Sequence, residues 1–160
     1  MKSSLTTQIE ALAQLLKAND LRLATAESCT GGGIAEALTS VAGSSAWFEC
    51  GKQSMLGVSA ETLASQGAVS EAVVKEMAIG AVANSNAQVS VSVSGVAGPG
   101  GGTSEKPVGF VWIAWTQEGS VPSATCFHFQ GGREQVRYQA IEAGIAGITE
   151  LLLADKKSSN

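Results

Sequence analysis

Ser28 sits in the run Thr25-Ala26-Glu27-Ser28-Cys29-Thr30-Gly31-Gly32-Gly33, between a short apolar stretch and a helix-like one. A strand that turns sharply into a helix would put this serine at the carboxyl end of the strand, where ligands bind in open α/β sheets. The helix start offers backbone N–H groups able to hold an oxyanion or a phosphate. Ser28 could be a nucleophile there. Ser28 or Thr30 could equally be no more than a helix cap, a role both residue types fill well. Cys29 competes, since a thiol at a helix N-terminus is acidified. A thiol nucleophile ordinarily works with a histidine, and the one histidine, His128, lies in a Cys-Phe-His-Phe strand pattern that reads as structural. A base other than histidine is then required, and lysine serves that role in Ser-Lys hydrolases.

Such a lysine must be held neutral, well below its ordinary pKa of about 10.4. No S-x-x-K motif occurs, which removes the β-lactamase arrangement. Lys52 and Lys106 flank glycine-rich segments and are the candidates; the other lysines lie near the termini or on solvated helix faces. A second candidate site is the loop Gly95-Val96-Ala97-Gly98-Pro99-Gly100-Gly101-Gly102, whose backbone could cradle a phosphate. It matches neither the Walker A pattern nor the dinucleotide fingerprint. Arg133, just after Gly131-Gly132, could clamp an anion or simply be solvated. No His, Asp, Glu or Cys cluster has ligand spacing, so neither a metal nor a cofactor is expected.

Composition narrows the partners. The chain has 160 residues, 44% hydrophobic and only 15% charged, with 19 glycines and a net charge of -4. Ten Lys and Arg scattered along an acidic chain supply no basic face, which excludes the usual nucleic-acid binder and favours a small molecule. Three cysteines without a CxxC pair argue against a disulfide framework and fit a cytoplasmic setting. The N-terminal segment lacks an apolar signal core. Residues 77 to 104 carry no charge, yet Ser, Asn, Gln and Pro recur through them, which a bilayer rejects.

The elements that must position these residues follow from periodicity. Leu5, Ile9, Leu12 and Leu16 form one helical stripe ended by Asn19-Asp20. Residues 21–25 read as a strand, and a helix is expected near Ile34, Ala37, Leu38 and Val41. The segment at 44–48 leads towards another strand, and residues 52–66 read as short helical turns. Ser70 caps a helix running to about Ala83. Val89, Val91 and Val93 alternate with Ser90, Ser92 and Ser94, the clearest strand in the chain. Strands at about 108–116 and 123–129 form a hairpin, and Ile141, Ile145, Ile148 and Leu152 place a last helix over 133–154, with 155–160 a frayed tail. The sum is one α/β domain over residues 1–160, a three-layer α/β/α sandwich whose mixed sheet includes a C-terminal hairpin.

The motifs together resemble the CinA C-terminal domain family. The resemblance rests on Ala26-Glu27-Ser28-Cys29-Thr30-Gly31-Gly32, Ala42-Gly43-Ser44-Ser45-Ala46-Trp47-Phe48, Gly67-Ala68-Val69-Ser70, Ser94-Gly95-Val96-Ala97-Gly98-Pro99, Glu105-Lys106-Pro107-Val108-Gly109 and Gly132-Arg133, across residues 5 to 154. It implies a metal-free Ser/Lys amidohydrolase converting nicotinamide mononucleotide to nicotinate mononucleotide and ammonia. The family nucleophile maps to Ser28, its lysine to Lys52 and a further active-site serine to Ser45. Thr30, Gly31, Ser94, Gly95, Gly98 and Arg133 are the expected substrate-binding positions. The family carries a short stretch with a Tyr-Ser-Asn run between the positions of Gly51 and Lys52; here the two are adjacent. The alternative expectation is therefore an inactive nucleotide-binding or regulatory module. The expected partner is a small nucleotide, with no nucleic acid and no membrane, and the chain is expected to form a homo-oligomer.

Overall fold

The structure, a computed structural model, describes residues 2–52 and 57–158; the side chains of residues 2, 3 and 52 lie outside that description. The elements run α1 (Lys2–Ala18), β1 (Leu23–Glu27), α2 (Gly33–Thr39), a 3-10 turn (Ser44–Ala46), β2 (Phe48–Lys52), α3 (Ala60–Gln66), α4 (Glu71–Ala83), β3 (Val89–Gly95), β4 (Phe110–Gln117), β5 (Ser123–His128) and α5 (Arg133–Ser158). The strands form one sheet in the order β2-β1-β3-β4-β5. The first three strands pair in parallel through β1, β4 joins β3 antiparallel, and β5 closes the expected hairpin with β4. The last helix continues to Ser158, beyond the end at 154 that its apolar stripe suggests. Among the described residues no helix is long and apolar enough to cross a membrane.

Two cores flank the sheet. Leu23, Val89, Val91, Val93, Val111 and Ile113 pack under α1, α2 and α5, with Leu12, Leu16, Ile34, Ile145 and Ile148 fully buried among them. Ala24, Ala26 and Ala114 pack under α4 through Val73, Val74 and Met77. The serine face of β3 would be solvated in a two-layer sheet. Here it is buried, because each hydroxyl donates to a backbone carbonyl opposite: Ser90 to Ala78, Ser92 to Val74 and Ser94 to Ala68. Small residues with a donor let α4 approach closely, and the buried hydroxyls remain satisfied.

The parallel strands β1, β2 and β3 all end at one edge of the sheet. β1 reaches it at Glu27 and passes directly into residues 28–32, and β3 reaches it at Gly95 and passes into the glycine-rich loop. Lys52 ends β2 there, paired with Ala26 across a register that slips by one residue at Leu23 and Ala24.

Candidate functional site

The turn after β1 is organised by Glu27. Its side chain is 2% exposed, and its carboxylate accepts from Thr30 Oγ1 (2.7 Å), Thr25 Oγ1 (3.2 Å), Ile34 N–H (2.7 Å) and Ala35 N–H (3.0 Å). The carboxylate thus serves the orphan donors in the first turn of α2. The residue at the formal cap position is Gly32, with φ 91°, and no side chain bonds from there. Neither Ser28 nor Thr30 caps this helix. The expectation that the helix start is open to a substrate anion is likewise corrected, since a buried carboxylate already fills it.

Ser28 is exposed, and its backbone N–H continues the parallel ladder to Val93 O at 3.0 Å. Gly31 N–H donates to Ser28 O and Gly33 N–H to Thr30 O, each at 3.0 Å. Among the described residues, the N–H groups of Cys29, Thr30 and Gly32 are the ones in this turn that make no backbone hydrogen bond. Cys29 is half-buried, and burial pushes its thiol up to about 11. Its own backbone and the cations of Arg137 and Arg133 offset this only partly. The acidified thiol that a helix start could have produced is absent, and Cys29 is a protonated thiol at neutral pH.

Lys52 occupies the same edge, one strand over. From strand spacing and rise, its Cα lies about 8 Å from that of Ser28, within reach of a lysine side chain; that side chain lies outside the described residues. Lys106 has another task. Its ammonium donates to Val69 O (2.7 Å) and Gln66 O (3.4 Å), tying the loop before α4 to the stretch after the glycine-rich loop. His128 is also at this edge but on β5, edge-on to Phe110 at 5.3 Å. Three strand spacings, about 14 Å, separate it from β1.

Arg133 and the glycine-rich loop lie together, for Arg133 Nη1 donates to Gly98 O at 2.8 Å. Ser94 and Gly95 end β3 beside β1, with the Ser94 hydroxyl turned to Ala68 O. Ser45 is not brought to this edge. It lies in the 3-10 turn before β2, where Arg22 Nη2 donates to its carbonyl at 3.2 Å and Arg22 also pairs with Glu49 at 2.6 Å. The length of β1, about 13 Å, separates the two ends. Two residues escaped the sequence reading: Glu27, whose signal was only its place next to Ser28, and Arg137, whose Nη2 donates to Thr30 O at 2.7 Å. Among the described residues, no group of three or more His, Cys, Asp or Glu gathers as a metal would require.

With this geometry in view, the comparisons with known proteins are specific. The model of the CinA C-terminal domain matches residues 5–152. The chain is 51% identical over 148 residues to the nicotinamide-nucleotide amidohydrolase PncC of Escherichia coli strain K12, covering 86% of this chain and 88% of that protein. It is 47% identical over 155 residues to the protein of the same name from Pseudomonas putida, covering 92% and 96%. A solved CinA superfamily protein from Klebsiella pneumoniae superposes with a TM-score of 0.87 at 38% identity, covering 96% of this chain and 99% of that one.

Proposed function

The chain belongs to the CinA C-terminal domain family, and we propose that it is an amidohydrolase releasing ammonia from the carboxamide of nicotinamide mononucleotide. The names of its relatives support the reaction. The observation that carries the site is an exposed Ser28 at the carboxyl end of β1, relieved of capping by Glu27, with Lys52 paired beside it on β2. In this reading neutral Lys52 takes the proton of Ser28 Oγ as the oxygen attacks the carboxamide carbon. The developing oxyanion lies against the N–H groups of Thr30 and Gly32. Collapse breaks the C–N bond, and Lys52 returns its proton to the departing ammonia. Water then hydrolyses the acyl-serine with the same lysine as base, giving nicotinate mononucleotide and free Ser28.

The glycine-rich loop from Gly95 through Gly98, with Arg133 against it, is the place for the 5′-phosphate. The contact between Arg133 and Gly98 O supports this pairing. Three free thiols, Cys29, Cys50 and Cys126, support a reducing, cytoplasmic setting. Assembly as a homo-oligomer belongs to the same reading and is checked by light scattering.

The deciding experiment is ammonia release from nicotinamide mononucleotide by the wild type, Ser28→Ala and Lys52→Ala. Both variants should lose turnover; an active Ser28→Ala protein removes the nucleophile assignment. One observation favours a second reading, an inactive nucleotide-binding module: Gly51 runs straight into Lys52, where the family resemblance implies a further stretch. Saturable nucleotide binding by calorimetry without ammonia release selects it.

A further inference from the structure

We propose that Arg137 is the positioning residue of the nucleophile turn, holding Ser28 from α5 through a single peptide group; this rests on the reading of Ser28 as the nucleophile. Arg137 Nη2 donates to Thr30 O at 2.7 Å, across 107 positions of sequence. The next nitrogen, Gly31 N–H, donates to Ser28 O at 3.0 Å. The bond between Thr30 and Gly31 is trans, so its C=O and N–H point to opposite sides. That peptide group is therefore gripped at both ends: the guanidinium holds its oxygen, and its nitrogen holds the carbonyl of Ser28. A cation on the oxygen polarises the amide and strengthens the N–H as a donor, so the two bonds support each other. Thr30 O also accepts from Gly33 N–H at 3.0 Å, which ties the same grip to the first residue of α2.

The surroundings leave little slack. Gly31 has φ 61°, and a Cβ there would stand 3.4 Å from Arg137 Nη2. Arg137 Nε is buried without a partner among the described residues, so the side chain enters this site at a desolvation cost that the bond to Thr30 must offset. Arg133, one turn earlier on α5, bonds the glycine-rich loop at Gly98 O instead. Two arginines at i and i+4 thus hold the two loops bordering the site, and their duties divide. Arg137 sets the geometry of the reacting serine, whereas Arg133 stands at the loop assigned to the phosphate. Arg137 should act on kcat and Arg133 on KM.

The test uses the full chain with Arg137→Gln, Arg137→Lys and Gly31→Ala. Misplacing a nucleophile by a fraction of an ångström to 1 Å costs about ten- to a hundredfold in rate, so Arg137→Gln should lose kcat by that factor with KM within about twofold of the wild type. Added ethylguanidinium should restore part of the loss. Gly31→Ala, which strains the same turn, should reproduce it. A raised KM with unchanged kcat overturns the proposal, and so does an unchanged kcat. A readout independent of turnover is hydrogen exchange in a peptide covering residues 28–33. It should quicken by about tenfold or more in Arg137→Gln while peptides from α1 and β4 stay as they were. If the wild type releases no ammonia, the hydrolase reading alone fails, and exchange decides: faster exchange at 28–33 upholds the positioning role, unchanged exchange refutes it. Where Arg137→Gln does not fold, Arg137→Lys is read by the same two criteria.

Discussion

Beside Ser28 stand two groups whose chemistry is decided by their surroundings. Cys29 has its thiol raised by burial to about 11, against an ordinary 9.0. Its alkylation by iodoacetamide, followed in a Cys50→Ser/Cys126→Ser background, should keep accelerating past pH 9 towards about 11. A plateau near pH 7 would reveal an activated thiolate instead. Because the folded value lies above the unfolded one, the stabilisation from the protonated thiol is complete below pH 9 and is lost as pH rises from 9 to about 11. Two units amount to roughly 2–3 kcal/mol at most. Cys29→Ala should retain ammonia release. Glu27 is fixed by its contacts, a buried side chain whose two oxygens accept from four donors. Glu27→Gln leaves the amide nitrogen facing N–H groups of α2, and with bonds to a charged acceptor worth about 1.5–3 kcal/mol each, urea denaturation should show a loss of about 3 kcal/mol. A loss under about 0.5 kcal/mol would mean that the turn repacks without the carboxylate.

Packing between α5 and the sheet depends on a glycine rather than on the apolar stripe that makes the helix legible. A Cβ at Gly147 would land on the indole ring of Trp115, whose Nε1–H donates to Gly144 O at 2.9 Å. In a free helix Gly→Ala gains about 1 kcal/mol, but overpacking against a rigid ring costs about 1–3 kcal/mol. Gly147→Ala should therefore lower the thermal midpoint, and a raised midpoint would show that Trp115 can swing aside. The elements themselves were largely readable from periodicity: the Val/Ser alternation of β3, the stripe of α1 and the capped start of α4 at Ser70 are local signals. Their packing was not. The three-layer expectation covers both faces of β3, but alternation does not name what meets Ser90, Ser92 and Ser94, whose hydroxyls donate to carbonyls 12 to 26 positions away. Polarity alone does not tell a solvated serine from a satisfied one.

At the scale of the molecule, the site is assembled from the two ends of the chain. The turn that carries Ser28 was readable because a strand, a tight turn and a helix follow one another there. Its supports were not, since Arg137 meets Thr30 and Arg133 meets Gly98 only after the hairpin of β4 and β5 carries the chain back across the sheet. The place of Ser45 was not readable for the same reason. The family resemblance groups it with Ser28, and a parallel β2 that starts at the far end of β1 sets Ser45 there with Arg22. The net charge of -4 makes the placement of Arg133 consequential, because the surface as a whole does not attract a nucleotide dianion. Recognition then rests on local donors, and a charge-assisted contact worth about 1.5–3 kcal/mol is about ten- to more than a hundredfold in affinity. Arg133→Ala should weaken nicotinamide mononucleotide by that factor in competition binding, while free nicotinamide, which has no phosphate, is little changed. Equal losses for the two would place Arg133 with the loop's architecture alone, its bond to Gly98 O holding the backbone and reading no phosphate.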